Sequence, residues 1–377
     1  MSTTKKMLAI TASATLMLGL AACSSEREET PASTGTGGAA AASDAMIGIA
    51  MPTRSLERWN NDGTHLEKLL KDAGYQTSLQ YADNKVEEQI KQIENMVNQG
   101  AKILVVAAID GEALAPALDA AAAAGIDVIA YDRLINGTDA IDYYATFDNE
   151  KVGNLQGEFI VEQLGLEGTD ETFNLEPFAG SPDDNNARFF FKGAWDVLTP
   201  YVEDGTLVVP SGKAPASLDE WTTIGIQGWE SAKAQAEMDN RLNSFYTGDE
   251  KVDVVLSPND SLALGIESSL EAAGYEPGND WPLVTGQDAD QANVQNMLAD
   301  KQAMTVWKDT RTLGDQVAKM VDQMLKGEEV EVNDTETYDN GKKVVPSYLL
   351  PPQVVTKDTV ESALVESGFY EASDLGL

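Results

Sequence analysis

From Met46 onward the apolar positions alternate between two periods. A continuous run, Ile47 to Met51, is followed by an amphipathic stretch around Leu66, Leu69 and Leu70, then by an alternating run from Ser78 to Tyr81; this predicts strand, helix, strand. Val86, Ile90, Ile93 and Val97 fall at i, i+4, i+7 and i+11, one face of a helix, and Gly100 ends it before the apolar run Ile103 to Ala108. An alanine-rich helix and a strand from Ile126 to Tyr131 complete this half. After Phe147 the rhythm restarts, with strands predicted at Thr172 to Phe178, Leu207 to Pro210, Val252 to Leu256, Leu283 to Gly286 and Met304 to Trp307. Strands that are apolar at every position need both faces covered, so the pattern predicts an α/β protein of two doubly wound parallel-sheet domains. A helix from Thr310 ends at Lys326-Gly327, and the tail beyond it, with Pro346, Pro351 and Pro352, reads as crossing segments rather than core strands.

The first 45 residues do not follow this pattern. Lys5 and Lys6 precede an apolar run from Met7 to Ala22, too short to span a bilayer but of the length and charge of a secretory signal. It ends in Leu20-Ala21-Ala22-Cys23, which resembles the lipobox of bacterial lipoproteins; residues 1–22 would be removed and Cys23 acylated. Residues 23–45, rich in Ser, Thr, Gly and Ala, read as a flexible tether that leaves the folded part outside the cytoplasmic membrane.

Composition narrows the chemistry. The 377 residues carry 26 basic and 62 acidic side chains, a net charge of -36 that repels nucleic acid and anionic lipid, and no run of Lys or Arg breaks it. One cysteine rules out a disulfide framework, and with the single histidine, His65, it leaves no cysteine- or histidine-rich metal site and makes Ser-His hydrolase chemistry improbable. No cofactor is called for.

In open parallel sheets ligands bind beyond the carboxyl ends of the strands, so the polar residues just after each apolar run carry the information. In the first half these are Arg58-Trp59, Asp110 and Asp132-Arg133; in the second, the loop Ser181 to Asn186, Asn259-Asp260 and Gln287-Asp288. Carboxylates accept, guanidinium groups donate, amides do both, and indole rings pack on the C–H face of a pyranose, so the set suits a neutral polyol. Phosphate fits less well, since GxxxxGK[ST] is absent. Each residue alone has a duller reading: helix N-caps for Asp110, Asp260 and Asp288, a solvated loop for Asp183 and Asp184, packing for Trp59 and Trp229, a structural role for His65. Their repetition at strand ends in both halves favours a binding cleft.

The stretches IGIAMPT, LQYADN, QIENMVNQGAKILVV, VIAYDRLI, YYATFDN, GSPDDNNA, LSPND, TGQDAD, WKDT and KVVPSYLLPP resemble the ChvE-like branch of the ribose, galactose and xylose type of periplasmic sugar-binding protein. The resemblance implies a type I periplasmic binding fold, two domains joined by three hinge crossings: residues 46–147 with 309–347, and residues 148–308 with 348–377. It implies a monosaccharide, hexose or pentose, closed between them and delivered to an ABC permease and its ATPase by a monomeric, non-catalytic receptor. Carried over by position, it sets Arg58, Trp59, Asp110, Asp132 and Arg133 on one side of the sugar and Asn186, Trp229, Asn259, Asp260 and Asp288 on the other, with Lys308 near a hinge; Asn185 and Gln287 lie beside matched positions. Two rivals use the same cleft: a sugar sensor presenting occupancy to a membrane receptor, and a secreted glycosidase drawing acid and base from Asp110, Asp132 and Asp288.

Overall fold

The structure is a computed structural model that describes residues 45–248 and 250–377. The expected signal segment, Cys23 and all of the tether before Ala45 lie outside the described residues.

In the first half β1 (Met46–Met51), α1 (Glu57–Asp72), β2 (Gln76–Tyr81), α2 (Val86–Asn98), β3 (Ile103–Val106), α3 (Ala115–Ala123), β4 (Asp127–Tyr131) and β5 (Tyr143–Phe147) alternate along the chain. The second half repeats the plan: α4 (Asn149–Leu164), β6 (Phe173–Pro177), α5 (Asn185–Glu203), β7 (Leu207–Val208), α6 (Ser231–Phe245), β8 (Val254–Leu256), α7 (Asp260–Ala272), β9 (Leu283–Val284), α8 (Gln291–Leu298) and β10 (Met304–Trp307). Then come α9 (Thr310–Lys326), β11 (Ser347–Leu350) and β12 (Gln353–Thr356). The first sheet has the order β2-β1-β3-β4-β5-β11 and is parallel throughout. The second runs β7-β6-β8-β9, and a bridge between Gln287 and Val306 joins it to β10, on which β12 lies antiparallel. Both lobes therefore share one strand order, each closed at its edge by a strand from the tail.

The reason for the unbroken apolar runs is visible in the packing. Ile47, Ile49 and Met51 of β1 face Leu66 and Leu70 of α1 and Leu313 and Val317 of α9. Ala50 points the other way, with Leu104 and Val106 of β3, toward Ile93 and Met96 of α2. Period-two alternation with both faces covered makes every position apolar. Gly48 sits where a Cβ would lie 2.7 Å from both Leu104 and Met96, so its lack of a side chain sets the distance between β1 and α2. Gly100 and Gly327, which end α2 and α9, both have positive φ, 88° and 68°, the left-handed geometry that terminates helices.

Two expectations change. The tail is not merely a crossing segment: β11 and β12 are edge strands, tolerated because Pro346 precedes β11 and Pro351-Pro352 separate it from β12, so no proline falls inside a ladder. The first sheet thus continues to Leu350, past the boundary expected at 347. The chain passes between lobes at Asp148, at Lys308-Asp309 and at Pro351-Pro352. No helix among the described residues is long and apolar enough to cross a membrane.

Candidate functional site

The carboxyl ends of the two sheets face each other across a tight cavity with a free volume of about 20 Å³. From the first lobe, Arg58 and Trp59 come from the first turn of α1, and Asp132 and Arg133 directly follow β4. From the second, Asp184, Asn186 and Phe190 come from the start of α5, Asn259 from the N-cap of α7, Gln287 and Asp288 from beyond β9, and Lys308 from the end of β10.

Three of the wall residues have backbone conformations that L-residues seldom adopt: Asp132, Trp229 and Asp288 have φ of 59°, 57° and 97°. Such strain collects where side-chain direction matters more than stability. At Asp132 it turns the chain at once after β4, and the freed Asp132 carbonyl is caught by the Tyr144 hydroxyl at 2.6 Å, Thr146 Oγ1 at 2.8 Å and Asn186 Nδ2 at 2.7 Å. The Trp229 indole lies against Gly180, where any Cβ would overlap its ring, and donates its N–H to Asp184 Oδ2 at 3.1 Å.

Charge is paired across the cavity. Arg58 Nη2 donates to Asp132 Oδ2 at 2.9 Å and Nη1 reaches Asp288 Oδ1 at 3.5 Å in the opposite lobe. Lys308 Nζ lies 3.1 Å from the same Asp288 oxygen, and Arg133 Nε lies 3.0 Å from Asp184 Oδ2, close enough to pair in charge but without hydrogen-bond alignment. Burial pushes the Asp132 carboxyl up, but Arg58, Lys308 and Arg133 outweigh it and hold it below the usual carboxylate range. Burial of Asp184 prevails over Arg133, and its carboxyl is raised. Both arginines also lie over the Trp59 ring, with Cζ at 4.4 Å for Arg58 and 5.1 Å for Arg133. The Trp59 indole N–H, Arg133 Nε and Gln287 Oε1 are buried with no hydrogen-bond partner. Buried polar atoms are nearly always paired, and these three, like several elsewhere in the protein, are left free; in the cavity wall they are placed to meet a polar ligand.

Of the residues expected from sequence, Arg58, Trp59, Asp132, Arg133, Asn186, Trp229, Asn259, Asp288 and Lys308 line this one cavity. Two do not. Asp110 Oδ1 accepts from the backbone N–H groups of Glu112 and Ala113, a turn-stabilising role, and the residue borders a separate surface groove. Asp260 is wholly buried, its carboxylate accepting from Gln302 Nε2, Thr305 Oγ1 and the Asp290 N–H, so it ties the second lobe together from within. Asp184, given a solvated-loop reading, is 4% exposed and forms part of the wall. Gln287 and Phe190 also join it. Phe190 follows Asn186 by one helical turn, a spacing that would have marked it had the start of α5 been fixed from sequence. No group of three or more His, Cys, Asp or Glu that could hold a metal ion occurs among the described residues.

Comparison with known proteins agrees with this geometry. Residues 47–329 match the family described as periplasmic binding protein domain. The multiple sugar-binding periplasmic receptor ChvE of Rhizobium radiobacter is 51% identical over 336 residues, covering 89% of this chain and 93% of that protein. The D-xylose-binding periplasmic protein of Escherichia coli K12 is 36% identical over 337 residues, 89% of this chain and 94% of the other. A crystal structure of an ABC transporter solute-binding protein from Clostridium phytofermentans with bound β-D-glucose superposes with a TM-score of 0.84 at 52% identity, covering 88% of this chain and 99% of its own. The resemblance read from the sequence motifs is borne out, and so is the fold it implied.

Proposed function

The chain belongs to the periplasmic binding protein family, and from that premise we propose that it is an extracytoplasmic receptor whose lobes close on one neutral monosaccharide, hexose or pentose. It is a binding protein and not an enzyme. The observation that carries the ligand class is the balance of the cavity wall: three cations, Arg58, Arg133 and Lys308, meet three carboxylates, Asp132, Asp184 and Asp288, while Trp59 and Gln287 keep an unpartnered donor and acceptor. A charged ligand would upset that balance; a polyol, donor and acceptor at every hydroxyl, fits it. The sugars named for relatives, glucose and xylose, support both ring classes. The site residues of this reading are the nine expected ones in the wall together with Asp184, Phe190 and Gln287.

A hexose has about 12 heavy atoms, and at ~0.7 kcal/mol each binding is ~8 kcal/mol, near micromolar. Isothermal titration with D-glucose, D-galactose, D-xylose and L-arabinose is expected to give at least one dissociation constant in that range. Absence of heat below millimolar concentration for all four defeats the sugar reading, and release of reducing ends from oligosaccharides would revive the glycosidase.

The reading extends to delivery of the sugar, by a monomer, to an ABC permease and its ATPase, and to a lipid on Cys23 as the only membrane attachment. Lipid chains contribute about 0.8 kcal/mol per buried CH₂, which a surface this acidic cannot replace. Cys23→Ser should therefore move the protein from the detergent phase to the aqueous phase; equal partitioning of the two forms counts against the anchor.

A further inference from the structure

Behind the cavity wall lies a carboxylate that touches no part of the cavity. Asp62, one helical turn after Arg58 on α1, is fully buried. Its Oδ2 accepts from Arg58 Nε at 3.2 Å and its Oδ1 from Arg58 Nη2 at 3.5 Å. On the other side the Tyr131 hydroxyl donates to Oδ1 at 2.5 Å. Tyr131 is the last residue of β4, the neighbour of Asp132. Arg58 thus spends Nε and one Nη2 hydrogen on Asp62, the other Nη2 hydrogen on Asp132 and one Nη1 hydrogen on Asp288, which leaves a single Nη1 donor of its five.

A buried carboxylate is an expensive way to stabilise a fold, since apolar packing of the same volume is often as good or better. Burial pushes the Asp62 carboxyl up to about 6 even with Arg58 pulling it down. What the group supplies is geometry. Without it the guanidinium would be held only by Asp132 and Asp288 at its outer nitrogens and by the Trp59 ring; with it, the side chain is fixed by its Nε edge with those nitrogens turned toward the cavity.

We propose that Asp62, itself fixed by Tyr131, is a positioning residue that aims Arg58 into the cavity and so sets ligand affinity without meeting the ligand. Because Asp62, Tyr131 and Arg58 all belong to the first lobe, the aim persists when the lobes part, and the ligand meets a guanidinium already oriented. This rests on the sugar-binding reading for its effect on affinity, but the hold on Arg58 is a property of the protein alone.

The test has two readouts on the full protein. In titrations with D-glucose, or whichever of the four sugars binds best, Asp62→Asn is expected to weaken affinity about tenfold and Tyr131→Phe about threefold, with circular dichroism unchanged. In an Arg58→Lys background, where the fork is gone, Asp62→Asn should change affinity by less than about twofold, because residues acting through one another are not additive. An equal loss in both backgrounds overturns the proposal, since Asp62 would then act on the fold at large. The second readout needs no sugar: the Arg58 Nε–H should give a slowly exchanging nuclear magnetic resonance signal in the wild type that Asp62→Asn abolishes. A signal lost to exchange already in the wild type overturns the proposal; a protected signal in a protein that binds none of the sugars sustains the positioning and removes the ligand reading instead.

Discussion

Asp132 and Asp260 hold corresponding places in the sequence: an acid just after an apolar strand, one in each lobe. At the end of β4 the chain turns through a left-handed residue, and Asp132 meets Arg58 from its own lobe within a wall that includes cations of both lobes. At the end of β8 the chain runs through Ser257-Pro258-Asn259 into α7, and Asp260, its first residue, points inward to Gln302, Thr305 and the Asp290 N–H. Burial and the nearby Asp290 and Asp288 raise the Asp260 carboxyl, where cations hold that of Asp132 down. The difference teaches that a strand end supplies position only. Backbone direction and cations decide whether an acid serves a ligand or the lobe. Asn259 does both, accepting the Leu262 N–H as a helix cap while bordering the cavity.

Substitutions can break this contrast in order of expected effect. Asp132→Ala removes a charged acceptor from a dehydrated site and leaves Arg58 short of a partner, so binding should weaken by ~2–4 kcal/mol, roughly 30- to 1,000-fold, in a protein still folded by circular dichroism. Affinity within threefold of wild type would make Asp132 no ligand group at all. Asp260→Ala should do the reverse: ~2–3 kcal/mol lost in urea unfolding, because its buried donors are stranded, and a smaller fall in affinity than Asp132→Ala produces. If instead binding vanished with stability untouched, the roles assigned to the two acids would be exchanged. Asp110→Ala removes only an acceptor for two turn N–H groups; a stability change of ~1 kcal/mol or less and affinity within twofold are expected, and a tenfold loss of binding would return Asp110 to the site.

Much of this could be seen in the sequence, for identifiable reasons. Sheets covered on both faces leave continuous apolar runs, so β1, β3, β4 and β8 stood out. The cavity wall is built largely from residues that follow strands, so Asp132, Arg133 and Asp288 did too. β5 was less legible, because Thr146 interrupts its apolar run, and β11 and β12 because their flanking prolines resemble breaks rather than borders. Asp62 and Asp184 were hidden for a different reason. Arg58, four residues before Asp62, is visible in the sequence, but an i,i+4 pair on a helix looks solvated; the distant groups that mark these acids as buried, Tyr131 for Asp62 and Arg133 for Asp184, are far along the chain. The adjacent Arg133 set Asp132 apart in the sequence, but that Asp260 turns inward was not legible there, since φ at the turn and the identity of facing donors are products of the assembled lobes.

Where a bound sugar sits is the most direct test of the central claim. Crystals of the protein grown with D-glucose should show one pyranose between the lobes, its hydroxyls within hydrogen-bond distance of Asp132 and Arg133 on one side and of Gln287 and Asp288 on the other, with Asp260 and Asp110 out of reach. A sugar lodged elsewhere, or one held by Asp110 and Asp260 while Asp132 stays paired only with arginine, would contradict the account.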